Sequence, residues 1–213
     1  MNLRIHNEKV FNEYMKLNYT KMSCPLLVST KKDYLENLQD PILYIGQETY
    51  TWLNYEDNFI YNTDNIEEGY YNFFKETPFN MNVFWDFFKE CTNLEKGEFI
   101  KRIIWSNCYI CGKKNDKGLT EYHNEIKNLS IDYLIHLYEE LNPKLTIFAC
   151  GNKEEYYSIV KAFVKKIKDS DIQKLNKQNE IIQVEDILYT YHPNNLRFSK
   201  NQKQIKKKIK SFL

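Results

Sequence analysis

Three short apolar runs, each closed by turn or polar residues, constrain this chain more than any other feature. ILYI at 42–45 stops at Gly46, the run within 99–105 gives way to SNCYICGKKND, and LTIFAC at 145–150 is closed by Gly151. Runs of this length bounded by turn residues predict buried strands. Around them, apolar residues recur three and four apart. Val10, Phe11, Tyr14 and Leu17 mark an opening helix over 3–18, and Val83, Phe84, Phe87 and Phe88 mark another after Asn80. Ser130 is read as the N-cap of a helix carrying Ile131, Leu134, Ile135, Tyr138 and Leu141, stopped by Asn142 and Pro143. Tyr156, Ile159, Val160, Phe163, Val164 and Ile167 form the apolar side of a long, otherwise lysine-rich helix, with Asn152 as its N-cap. Residues 181–191 predict one or two more strands, and 201–213 a short basic helix with Ile205, Ile209 and Phe212 on one face. The acidic, Asn- and Tyr-rich segment 54–77 predicts a long loop with short helical pieces. The residues after Trp105 predict turns with no regular element.

Strands alternating with helices of these lengths predict an α/β fold: a three-layer α/β/α sandwich with a mostly parallel central sheet. With 213 residues and neither repeat nor linker, a single domain over 1–213 is expected. Lys+Arg 30 against Asp+Glu 29 gives no overall charge that would announce a nucleic-acid partner, so any such partner must be argued from local patches. The five cysteines are odd in number and scattered, and no charged-then-apolar signal segment opens the chain, so a reducing, cytoplasmic setting is expected. Cys108-x-x-Cys111 has half the spacing of a zinc site and no second half, so no metal is expected. The 17 Tyr and 13 Phe are as compatible with compositional bias as with stacking, and only individually placed aromatics carry an argument.

The polar residues at the strand ends carry a resemblance. Gly46-Gln47-Glu48-Thr49-Tyr50 follows the first run, Asn107 the second, and His192-Pro193-Asn194-Asn195-Leu196 the last. In this order they resemble the uracil-DNA glycosylase superfamily, with its GQDPY-type motif, its Asn at a second strand end and its late HPSPL-type motif. The resemblance spans residues 42 to about 198. Thr49 for Pro and Asn194 for Ser depart from it, and Glu48 stands where the family usually carries Asp or Asn. The extra methylene moves a carboxylate by roughly 1 Å or more.

The resemblance implies a uracil-DNA glycosylase-like fold and a DNA glycosylase that flips a base from DNA and hydrolyses its N-glycosidic bond, in DNA repair. That reaction passes through an oxocarbenium-like sugar while negative charge builds on the departing base. Glu48 would orient water and stabilise the sugar; otherwise it caps a helix or pairs with a lysine. His192 would hydrogen-bond the base carbonyl; otherwise it is a surface histidine before a proline turn. Gln47, Tyr50, Asn107 and Phe79 would form the base pocket, with Tyr50 closing it against a 5-methyl group, Asn107 reading the Watson–Crick edge and Phe79 stacking. The alternatives are a core tyrosine at 50, a turn asparagine at 107 and a core phenylalanine at 79. Leu196 would be the wedge entering the duplex, with Arg197 and Lys200 on phosphates at the head of a basic run reaching Lys210. Uracil is the default substrate. A modified pyrimidine of phage DNA, or a catalytically weak DNA-binding relative, are the alternatives. No cofactor and no obligate protein partner are implied, and a monomer is expected.

Overall fold

In the computed structural model, which describes residues 2–17, 19–49, 52–53, 61–76, 83–168, 175–176, 178–196 and 199–212, the run at 42–45 forms β1 (Ile42–Glu48). β2 (Ile103–Tyr109), β3 (Leu145–Ala149), β4 (Ile181–Val184) and β5 (Ile187–Thr190) complete one sheet in the order β2-β1-β3-β5-β4. All neighbours are parallel except β4, which returns antiparallel to β5. The inner strands read as unbroken apolar runs because helices cover both faces of the sheet, leaving no solvent side that would require alternation.

The two helical layers follow from strand register. Tyr44 and Trp105 are cross-strand partners and face one side. There Tyr44 meets Phe84 and Phe88 of α4 (Val83–Thr92), while Trp105 meets Phe73 and Phe74 of α3 (Thr63–Glu76) and Trp85 of α4. Ile45 and Phe148 are partners on the other side, where Phe148 packs on Phe163 of α7 (Glu154–Ile167), its ring centroid 5.1 Å away. In that layer α6 (His123–Leu141) packs on β2, on α7 and on α1 (Leu3–Met15). The remaining helices are α2 (Lys32–Leu35), α5 (Lys96–Arg102), α8 (Pro193–Leu196) and α9 (Gln202–Lys210). α8 and α9 both lie against α4. Among the described residues no helix is long and apolar enough to cross a membrane.

Several local expectations are corrected. Residues 63–76 are a helix rather than loop: Ile66, Tyr70 and Phe74 recur every fourth residue and are buried, a stripe masked in the sequence by the Asn and Glu around it. Residues 99–102 belong to α5 and not to a strand, because Glu95 and Glu98 form a capping box that nucleates a helix whose Phe99 packs edge-on against Phe88. β2 therefore starts at Ile103 and continues through the segment read as turns, so Asn107 lies inside the strand. Ser130 is mid-helix; its hydroxyl donates to the Ile126 carbonyl and accepts from the Ile110 amide, tying α6 to the chain beyond β2. Lys153, not Asn152, occupies the N-cap of α7. Asn142 does end α6, in the left-handed region at φ 41.

A buried polar knot joins α1 to α3. Glu67, 3% exposed, accepts from Asn7 Nδ2 at 2.8 Å and from the Thr30 amide at 2.9 Å, with Arg4 at 3.3 Å. Beside it, His6 of α1 stacks on His136 of α6 with ring centroids 4.0 Å apart, and Tyr133 lies beyond. Burial, reinforced by His136 and Lys9 and opposed by Glu140, lowers the His6 imidazole from 6.5 to about 4. Between those values the unfolded chain binds the extra proton, so this contribution to stability is complete above pH 6.5 and is lost as pH falls through 4. Urea midpoints measured at pH 7, 5.5 and 4 are expected to fall, and His6→Phe is expected to flatten the decline. Parallel declines in both proteins would remove His6 from the acid sensitivity.

Candidate functional site

The chain leaves β1 toward β2 on one side and later returns to place β3 on the other, the reversal of strand order at which α/β sheets place their sites, beyond the C-terminal strand ends. Because β1, β2, β3 and β5 are parallel, Gly46 to Glu48, Asn107, Gly151 and His192 all arrive at that one edge. Four segments far apart in sequence meet there.

Gly46 is the pivot. A Cβ at this position would lie 2.4 Å from Asn107 Oδ1 and 3.2 Å from the Phe84 ring, so only glycine lets the Asn107 amide lie across β1. Asn107 is 3% exposed, and no described residue hydrogen-bonds its side-chain amide, which leaves a donor and an acceptor for a ligand. Phe84 stacks on Tyr44 at 4.2 Å, and the Tyr44 hydroxyl donates to the Phe84 carbonyl at 2.9 Å. The Phe84 ring lies nearly parallel to that of His192, centroids 6.2 Å apart. Gln47 Nε2 donates to the Cys150 carbonyl at 2.7 Å, stitching β1 to the end of β3. Gly151, at φ 84, sits against both Gln47 and His192; a Cβ there would be 3.4 Å from Gln47 Nε2 and 3.6 Å from His192 Cβ.

The state of His192 follows from one bond. The Asn194 amide donates to Nδ1 at 3.2 Å, so Nδ1 is an acceptor and the proton of the neutral ring sits on Nε2. Burial lowers the imidazole to about 4, so His192 is neutral at pH 7 and presents Nε2–H as a donor. Such a neutral donor stabilises a developing anion without surrendering its proton.

Glu48 is half-buried, and among the described residues it neither caps a helix nor meets a lysine. Its Oε2 accepts from the hydroxyl of Tyr156, in the first turn of α7. Burial and this bond push the phenol well above its usual range, so Tyr156 remains a donor. Tyr109, the register partner of Glu48, meets Tyr156 edge-on at 5.9 Å. Gly112 makes room for the acid: a Cβ there would be 3.3 Å from Glu48 Cγ and 2.3 Å from the Thr49 carbonyl. The Thr49 hydroxyl is itself 2.5 Å from that of Ser23.

Of the residues expected to act together, the fold gathers Gln47, Glu48, Asn107 and His192 at one edge. Leu196 is corrected: it is fully buried in α8 against α4, and a wedge must be exposed, whereas the exposed residues of that turn are Asn194 and Asn195. Lys200 is exposed. Tyr50, Phe79 and Arg197 lie outside the described residues. Phe84 and Tyr156 were not expected at the site. Each is the first-turn aromatic of a helix beside that edge, and that position is the signal that could have found them. All five cysteines are buried and free, and among the described residues no group of three or more His, Cys, Asp or Glu could hold a metal ion. No protein-family model and no curated protein matches this chain.

Proposed function

We propose that this protein is a DNA glycosylase with a uracil-DNA glycosylase-like sandwich, acting on a base flipped from DNA, with uracil the default substrate. The observation that carries the reading is a line of neighbours, Asn107 against Gly46, Gly46 against Phe84 and Phe84 beside His192, at the sheet edge that also bears Glu48. In this reading the unpaired Asn107 amide pairs with the base edge, and the Phe84 ring takes the stacking role expected of Phe79. His192 Nε2–H donates to the base carbonyl as negative charge builds there, and Glu48 faces the sugar, where it activates water and offsets positive charge. The protein's own residues supply each of these roles.

Duplex and single-stranded oligonucleotides bearing uracil, a thymine mismatch, hydroxymethylcytosine or glucosylated hydroxymethylcytosine test this. Incubation followed by alkaline cleavage is expected to break at least one strand at the modified base, first of all the uracil strand. Intact strands throughout would reject the enzyme. One observation favours a second reading, a catalytically weak DNA-binding relative: Oε2 of Glu48 already accepts from the Tyr156 hydroxyl, which turns one of its carboxylate oxygens toward α7. That reading expects tight DNA binding with every strand intact.

A further inference from the structure

We propose that one face of α9 is a track for the phosphate backbone of the nucleic acid that runs past the pocket. This rests on the reading of the partner as DNA. Ile205 and Ile209 bury one side of α9, which lies against α4. Lys206 pairs with Glu90, and Lys210 Nζ donates to Asn93 Oδ1 at 3.1 Å. The two contacts are 116 and 117 residues apart in sequence, a nearly constant offset, so α9 and α4 run in the same direction in register. Carried back along α9 at about 1.5 Å per residue, that register sets its first residues, Gln202 and Lys203, level with Asp86 and Phe87, within one turn of Phe84.

Lys200, Lys203, Lys207 and Lys210 follow at steps of three, four and three, which keeps them on one stripe away from the buried isoleucines. All four are exposed. Among the described residues none of Lys200, Lys203 and Lys207 has an ion pair, and the only partner of Lys210 is a neutral amide. No acidic residue occurs from 197 to 213. The Asn201 amide nitrogen Nδ2 and the Ser199 hydroxyl both donate to Glu180 Oε2, which holds the start of the row in place. The ten steps from Lys200 to Lys210, most of them within α9, span about 15 Å at the helical rise. One strand of duplex rises about 3.4 Å per phosphate along its axis and follows a longer path along its backbone, so the row reaches at most about four phosphates leading away from the flipped base.

The test is the salt dependence of binding to a plain 24-base-pair duplex. Replacing all four lysines with Gln is expected to reduce the slope of log K against log salt by about 3 to 4 at unchanged melting temperature, each lost phosphate contact being worth about 0.9. The pair Lys203→Gln and Lys207→Gln is expected to lose about half of that, and serves if the quadruple variant folds poorly. His192→Ala is expected to keep the wild-type slope. An unchanged slope in the lysine variants of a protein that binds DNA overturns the track and leaves the glycosylase reading standing. Wild-type protein that binds neither the duplex nor its single strands at low salt overturns both. An unchanged DNA slope together with lost binding to phosphatidylserine vesicles overturns the track and assigns the row to a membrane surface.

Discussion

Glu48→Gln is expected to slow base release by about 10²- to 10⁴-fold, the usual range for removing a general base, while DNA affinity stays at the wild-type value. Gln keeps the length of the side chain and still accepts from Tyr156, so the wall formed by Tyr109, Tyr156 and Gly112 is preserved. What is lost is the negative charge beside the sugar and the capacity to take a proton from water. Tyr156→Phe separates holding from chemistry: it leaves the charge and removes the anchor, and is expected to cost about tenfold, in line with a charge-assisted hydrogen bond. Single-turnover release from a uracil-containing duplex measures both. Equal rates for Glu48→Gln and wild type would remove Glu48 from the reaction.

His192→Ala is expected to lower kcat by about 10²- to 10³-fold with little change in KM, because a donor aimed at the base carbonyl gains strength only as charge develops there. A pH profile adds a signature that packing alone would not produce. With its imidazole lowered to about 4 by burial, His192 is neutral throughout pH 6 to 8, so kcat/KM is expected to show no step near 6.5 from this residue. A step near 6.5 that disappears in His192→Ala would show a ring that titrates in the ordinary range, contrary to its burial.

The strand ends were legible because they follow from local rules. An apolar run that halts near Gly46 or Gly151 marks a buried strand, although β1 runs on through Gly46 to Glu48, and α/β folds build sites at the ends of such strands. Asn107 was found for the right type and with the wrong setting. Its neighbours Ser106 and Cys108 read as turn residues, yet β2 continues through them, because pairing with β1 offers their backbone groups the partners that an isolated turn would have to find within itself. Phe99 and Ile100 were lent to the strand for the converse reason, since four-residue apolar spacing and a short apolar run overlap where a helix passes straight into a strand. The stripe of α3 was lost among tyrosines and asparagines, whose burial depends on what stands opposite them.

Leu196 marks the limit most clearly. Its place after His192-Pro193-Asn194-Asn195 suggested an exposed wedge, but exposure is a property of the neighbours, and α8 lies against α4 with that side chain inward. The partner of Glu48 is of the same kind: no spacing in the chain links residue 48 to a hydroxyl 108 positions later. The sequence by itself determined the alternation of strands and helices and the polar residues delivered to the strand ends, because hydrophobic period and turn chemistry act over a few residues. Only the tertiary structure decided that Gly46 admits the Asn107 amide, that Phe84 and His192 lie side by side, that Tyr156 holds Glu48, and that α9 runs alongside α4 with Lys206 on Glu90 and Lys210 on Asn93. Those facts rest on packing and on register between elements distant in the chain, and no local rule carries that information.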